Sequence, residues 1–146
     1  MQNHSFPGDA DRYADGDFSD VLIIGAGISG IGAAYRIQER NPQLKYTILE
    51  RRSRIGGTWD LHRYPGIRSD SDIFTLSFPW EPWDRPENVA DGEDIRQYLM
   101  NAARKHGIDG HIRFEDAVLC RVTTRAQRRP AHVLHDGEPA GHARVV

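Results

Sequence analysis

Apolar and polar positions follow three different patterns along the chain. Residues 1–19 mix Asp, Gly and Asn without apolar periodicity, and a stretch with so little to bury does not offset the entropy of ordering. They are read as a disordered leader, followed by one domain over residues 20–146. Val21, Leu22, Ile23 and Ile24 then form an unbroken aliphatic run that ends at Gly25. Such a run suits a strand buried on both faces, the kind found in parallel sheets. From Ile28 the period becomes helical, with Ile28, Ile31, Ala34 and Tyr35 on one face. Asn41-Pro42 closes this predicted helix, because a residue before proline avoids the α region. Residues 45–50 (KYTILE) predict a second strand that ends on an acid and completes a βαβ unit.

Regularity fades between residues 51 and 83, where aromatics are scattered among Gly, Pro, Asp and Ser. A long irregular segment inside a small domain is more often functional than idle. Periodicity returns in a predicted helix with Asp91 as N-cap, Asp94 three residues on, a face of Ile95, Tyr98, Leu99, Ala102 and Ala103, and Gly107 as its stop. Residues 111–115 and 117–122 predict short strands. Residues 133–134 and 143–146, on either side of the turn-rich DGEPAG, predict a hairpin. The fold class expected is α/β, a Rossmann-like βαβ domain with a parallel sheet and a C-terminal β-meander.

Composition narrows the functional classes. Nineteen basic and twenty-one acidic residues leave a net charge of -2, so no global field draws the chain to nucleic acid. The single Cys120 excludes an internal disulfide and a four-cysteine zinc site, and fits a cytoplasmic protein. The longest apolar stretch, residues 21–34, is too short and too broken by glycine to be an integral membrane segment. His132, His135 and His142 lack supporting carboxylate or thiolate spacing and are read as solvated loop histidines, so no metal is expected. Of two basic clusters, Arg51, Arg52 and Arg54 could touch a phosphate, whereas residues 125–129 read as a solvated turn.

The candidate chemistry lies in Gly25-Ala26-Gly27-Ile28-Ser29-Gly30, a G-x-G-x-x-G string between a strand and a helix, with Glu50 twenty residues after Gly30. That context is the one a dinucleotide fold demands; the bland alternative is a glycine-rich turn that merely packs a helix. Gly25 permits the tight turn, Gly27 lets the backbone approach a pyrophosphate, and Gly30 lets the helix pack closely. Glu50 would accept hydrogen bonds from a ribose diol and repel a 2′-phosphate. A second pair, Gly56-Gly57, favours a flavin dinucleotide over a plain NAD site, because that loop would return over the diphosphate.

GGTW, followed by RYPG and then Arg68-Ser69-Asp70, resembles the active-site segment of flavoprotein monooxygenases of the Baeyer–Villiger type. The likeness runs over residues 20–122, about seven-tenths of the chain. It implies an FAD-binding domain with the pyrophosphate on Gly25, Gly27, Ser29 and Gly30, the adenosine ribose on Glu50, Gly57 in the loop over the diphosphate, and Thr58, Trp59, Asp60 and Leu61 along the flavin. Arg68, Ser69 and Asp70 would face the junction of FAD and NADPH. Asp70 is the implied catalytic residue, orienting an arginine that comes from sequence outside this chain, and Val118 would meet the adenine through its backbone. The reaction implied consumes NADPH and O2 and transfers one oxygen atom to a ketone, thioether or thioamide-like substrate. Trp59, Tyr64, Phe74, Phe78, Trp80 and Trp83 would suit either a dry wall at such a site or the core.

Members of this family are several times longer and carry a second G-x-G-x-x-G domain. The expectation is therefore an incomplete, N-terminal part of such an enzyme, without turnover by itself. A non-catalytic FAD-binding module and a minimal NAD(H)-binding dehydrogenase piece stand as alternatives.

Overall fold

A computed structural model of the chain describes residues 19–118 in full and residues 131–135 and 138–143 by their backbone. The predicted βαβ unit forms with its ends shifted by at most a residue. β1 (Val21–Ile24) leads through α1 (Ile28–Arg40) to β2 (Tyr46–Glu50). β3 (Ile112–Phe114) joins on the far side of β2, so the sheet order is β1-β2-β3 with both pairings parallel. Val21 pairs with Tyr46 and Glu50 with Phe114, which places the acid at the C-terminal end of the central strand. In open parallel sheets that end is where ligands bind.

The core lies on one side of the sheet. Ile23 and Ile48 meet Ile31 and Ala34 of α1, and α4 (Gly92–Lys105) adds Ile95, Tyr98, Leu99, Ala102 and Ala103 to the same cluster. Leu22 and Leu49 point to the opposite face and pack with Val118. Burial on both faces thus holds for the middle of β1, while Ile24 is 53% exposed. Ser19, the last residue of the expected leader, shares a 2.6 Å hydroxyl–hydroxyl hydrogen bond with Thr47.

Helix α4 starts and stops where its pattern indicates, but its first turn is secured differently. Asp91 occupies the N-cap position without a side-chain cap hydrogen bond. Its carboxylate lies 3.5 Å from the Arg68 guanidinium, and Asp94 pairs with Arg85 at 2.6 Å. Each acid finds a cation that sequence spacing does not reveal. At the other end Gly107, at φ +66°, donates to Arg104 O and Ile108 to Ala103 O. This is a Schellman closure, with the fully buried Ile108 as its apolar plug.

Two helices of a single turn escape the periodicity argument, α2 (Thr58–Leu61) and α3 (Ile73–Leu76). The second has a side-chain cap, since Phe74 N–H donates to Asp72 Oδ1 at 2.8 Å. Residues 67–69 are laced to residues 90–92. Ser69 N–H donates to Ala90 O at 2.9 Å, Ala90 N–H to Ser69 Oγ at 3.1 Å, and Gly92 N–H to Ile67 O at 3.0 Å.

The aromatics divide along similar lines. Phe78 and Trp83 are buried, and Trp80 stacks between Tyr35 at 3.9 Å and Phe78 at 4.3 Å, so these three belong to the core. Tyr64 and Phe74 are exposed. The strand expected over 117–122 is absent at residues 117 and 118, and residues 119–122 lie outside those described. The hairpin exists as β4 (Ala131–His135) and β5 (Glu138–Ala143), antiparallel with His135 opposite Glu138. Much of the turn-rich DGEPAG is therefore strand. His132, His135 and His142 lie on strands rather than on a loop. Cys120 and residues 125–129 lie outside the described residues. Among the described residues, no helix is long and apolar enough to cross a membrane and no cluster of three potential metal ligands occurs.

Burial pushes the phenols of Tyr46 and Tyr98 up to about 12. The folded state thus prefers the neutral phenol, and its stability falls between pH 10 and pH 12, where the unfolded chain ionises and the folded chain does not. In an absorbance titration, two of the five tyrosines should ionise late and together with unfolding. Five phenols titrating alike near 10 would contradict this packing. Tyr98→Phe should cost about 1–3 kcal/mol by chemical denaturation, because its hydroxyl accepts from Phe78 N–H at 2.7 Å and donates to Glu81 O.

Candidate functional site

At the C-terminal end of β1 and β2 the chain forms a cleft of about 290 Å3, lined by Ile24, Gly25, Gly27, Ile28, Ser29, Gly30, Glu50, Gly56, Gly57, Thr58 and Trp59. Three backbone segments meet there. The first turn leaves β1 with Gly25 at φ +94° and enters α1 with Gly27 as N-cap. The first bond into α1 runs from Ile31 N–H to Gly27 O at 3.0 Å. The N–H groups of Ile28, Ser29 and Gly30 consequently have no acceptor within the helix. They line the cleft at the positive end of the helix dipole, a setting that favours an anion.

Each glycine has its own geometric reason. A Cβ on Gly30 would stand 1.9 Å from Gly25 O, so only glycine lets α1 start this close to the turn. A Cβ on Gly57, which is at φ +55°, would stand 2.9 Å from Gly27 Cα. Gly27 itself has φ -87°, open to any residue, and a Cβ there would meet protein no closer than 3.4 Å. The fold alone does not demand glycine at position 27. A ligand that approached the backbone there would.

Glu50 is 7% exposed, and its carboxylate ties two of these segments together. Ala26 N–H donates to Oε2 at 2.8 Å and Arg52 N–H to Oε1 at 2.9 Å. A carboxylate has about four acceptor positions, so two remain for a ligand on the cleft side. Gly56 N–H donates to Ala26 O at 3.1 Å and joins the second glycine loop to the first.

Beneath that loop lies Arg96 of α4, whose Cγ would be 3.0 Å from a Cβ on Gly56. Arg96 pairs with Glu93. The hydrogen bond between them holds the Glu93 carboxyl below and the guanidinium above its ordinary range.

Of the residues expected to hold a cofactor, the cleft brings together Gly25, Gly27, Ser29, Gly30, Glu50, Gly57, Thr58 and Trp59. The others lie outside its lining. Asp60 is buried and paired with Arg63, whose Nε also donates to Asp60 O at 3.1 Å, while Leu61 is 54% exposed. Arg68 faces Asp91, Ser69 is buried in its bonds to Ala90, and Asp70 is exposed. Val118 packs on Leu22 and Leu49. Ile24, Ile28 and Gly56 also line the cleft, although they were not among the residues expected to hold a cofactor; Ile24 precedes the first motif glycine, Ile28 is a variable position of the motif, and Gly56 belongs to the second glycine pair.

The topology and the cleft define a nucleotide-binding domain, and the chain matches the family described as NAD(P)-binding Rossmann-like domain over residues 23–83. More narrowly, the chain is similar to FAD-containing monooxygenases. The chain is 54% identical over 120 residues to the FAD-containing monooxygenase EthA of Mycolicibacterium smegmatis, covering 82% of this chain and 24% of that protein. The run from Trp59 to Asp72 resembles the mycobacterial ethionamide-activating monooxygenase in particular, and the match to a mycobacterial protein agrees with it. Among solved structures, an oxidized steroid monooxygenase bound to NADP aligns with TM-score 0.71 at 27% identity, over 87% of this chain and 24% of that one. OTEMO in complex with FAD and NADP aligns with TM-score 0.69 at 29% identity, over 82% and 23%. The chain thus spans about a quarter of the length of these relatives.

Gly30→Ala should therefore lower the thermal midpoint far more than Gly110→Ala, whose new Cβ would meet nothing within 4 Å. A loss of about 3 kcal/mol or more is expected for the first and under about 1 kcal/mol for the second. Equal midpoints for the two variants would show that the close approach of α1 to the Gly25 turn is wrong.

Proposed function

We propose that the cleft holds the adenosine diphosphate part of FAD, and that the chain is the flavin-binding portion of an NADPH- and O2-dependent monooxygenase of the Baeyer–Villiger type. The observation that carries this reading is Gly27, a residue of the cleft lining whose backbone dihedrals admit any side chain and where an added Cβ would meet protein no closer than Gly57 Cα at 3.4 Å, beside first-turn N–H groups that have no acceptor within the helix. The residues present fit the group. Gly25, Gly27, Ser29 and Gly30 would take the diphosphate, Glu50 the ribose, and Gly57, Thr58 and Trp59 the side toward the flavin. The negative charge of Glu50 disfavours a 2′-phosphate, which fits FAD better than NADP at this site.

When bound, FAD supplies the redox chemistry: hydride from NADPH and one atom of O2 pass through it, the other oxygen atom leaving as water. The tasks of this chain are to bind, orient and keep water from the cofactor. The substrates that suit this reading are a ketone, or a soft sulfur centre such as a thioether or thioamide. Asp70, Arg68 and Ser69 belong to the same reading as residues toward the NADPH side, and Asp70 as the residue that orients an arginine from outside this chain. Val118 would lie toward the adenine, and Asp60 and Leu61 would lie along the flavin. The single cysteine supports a cytoplasmic setting. By itself the chain is proposed to bind FAD without sustained oxygenation, because the hydride-donor site of such enzymes belongs to a second glycine motif.

Gly27→Ala separates binding from folding. The variant should keep the far-UV spectrum and thermal midpoint of the parent, while its FAD affinity, read by flavin fluorescence, should fall at least about tenfold. Equal affinity in parent and variant would refute the placement of the diphosphate. Sustained oxygenated product from the parent chain with NADPH, O2 and a thioether would refute binding without turnover.

A further inference from the structure

We infer that Arg52 is a positioning residue that sets the second glycine loop for the cofactor, an inference that rests on the FAD reading above. Arg52 is half-buried, unlike the exposed Arg51 and Arg54 of the same basic cluster. Its guanidinium meets a backbone carbonyl: Nη1 donates to Gly57 O at 2.9 Å. Its main chain serves the same place, with N–H donating to Glu50 Oε1 at 2.9 Å and C=O accepting from Glu115 N–H at 3.2 Å. One residue thus joins the acid at the end of β2, the end of β3 and the loop that closes the cleft.

The carbonyl it grips is the one that starts α2. Gly57 O also accepts from Asp60 N–H at 3.2 Å and Leu61 N–H at 3.0 Å. Gly57 holds φ +55° and ψ -121°, with its Cα against Gly27. The direction of this peptide sets where Thr58 and Trp59 stand in the cleft lining. A charged donor is among the stronger anchors for a carbonyl. Removing it leaves Gly57 O with two helical donors, so no buried acceptor is orphaned and the fold survives while the loop loosens. Arg52, which is outside the cleft lining, therefore acts through Gly57.

The test compares the parent chain with Arg52→Met, which keeps an unbranched stem without a donor, and Arg52→Lys, which keeps the charge and a donor. Amide exchange of Gly56, whose N–H is held by Ala26 O, should speed up at least about tenfold in ligand-free Arg52→Met, with the midpoint of the β1-β2 core amides unchanged. Its FAD affinity should fall at least about tenfold, because the loosened loop must be reordered on binding, and Arg52→Lys should recover part of both. Unchanged Gly56 exchange, or faster exchange with unaltered FAD affinity, would overturn the inference. Global unfolding of both variants would also overturn it, because Arg52 would then be a folding residue. Failure of the parent chain to bind FAD would instead defeat the cofactor reading, and the exchange result would still report on the clamp.

Discussion

A buried carboxylate that receives two backbone N–H groups organises this structure. Glu50 stands at the end of the central strand, where the turn after β1 and the chain leaving β2 both offer donors. Burial of a charge in that position is tolerable only with such partners. Satisfied in this way, the carboxylate holds the Gly25 turn in register with β2, and the turn in turn receives Gly56 through Ala26 O. Loop geometry that looks like three separate conformational choices is one hydrogen-bonded unit. The cleft is what remains between its parts.

The same unit explains how a small parallel sheet becomes a binding site. Parallel strands bring the ends of β1 and β2 side by side, and α1 starts close enough to its strand for its first-turn residues to line the crevice. Helix α4 supports the arrangement from below, through Arg96 under Gly56 and Gly92 against Ile67 and Trp59. Near Gly56 two ion pairs are local, Asp60 with Arg63 and Glu93 with Arg96, whereas Asp91 and Asp94 at the start of α4 pair with Arg68 and Arg85 from other parts of the chain.

Legibility in the sequence followed the length of the element. The thirteen residues of α1 and the fourteen of α4 carry enough turns for an apolar stripe, and β1 and β2 show their runs directly. Single-turn α2 and α3 hold too few residues for a period. DGEPAG reads as a turn from its composition, yet cross-strand pairing draws Glu138–Ala143 into β5. At the site, glycine spacing and the acid at the strand end single out Gly25, Gly27, Gly30, Glu50 and Gly57, and the family resemblance adds Ser29, Thr58 and Trp59; all eight line one cleft. Nothing in spacing distinguishes an Asp60 that turns inward to Arg63, or an Asp91 drawn toward Arg68, from residues that face a ligand. Those outcomes depend on cations brought near by the fold. The double engagement of Glu50 is likewise a product of tertiary geometry, since its partners lie 24 residues before it and two after it.

Amide-resolved NMR of the chain, with and without FAD, distinguishes a cleft that Glu50 preforms from one that the ligand assembles. The N–H groups of Ala26 and Arg52 should be protected from exchange before ligand is added, because Glu50 already holds them. Addition of FAD should then shift Ile28, Ser29 and Gly30 most and leave the protection of Ala26 and Arg52 in place. Free exchange of Ala26 and Arg52 in the absence of ligand, or FAD-induced shifts confined to residues away from the start of α1, would contradict it.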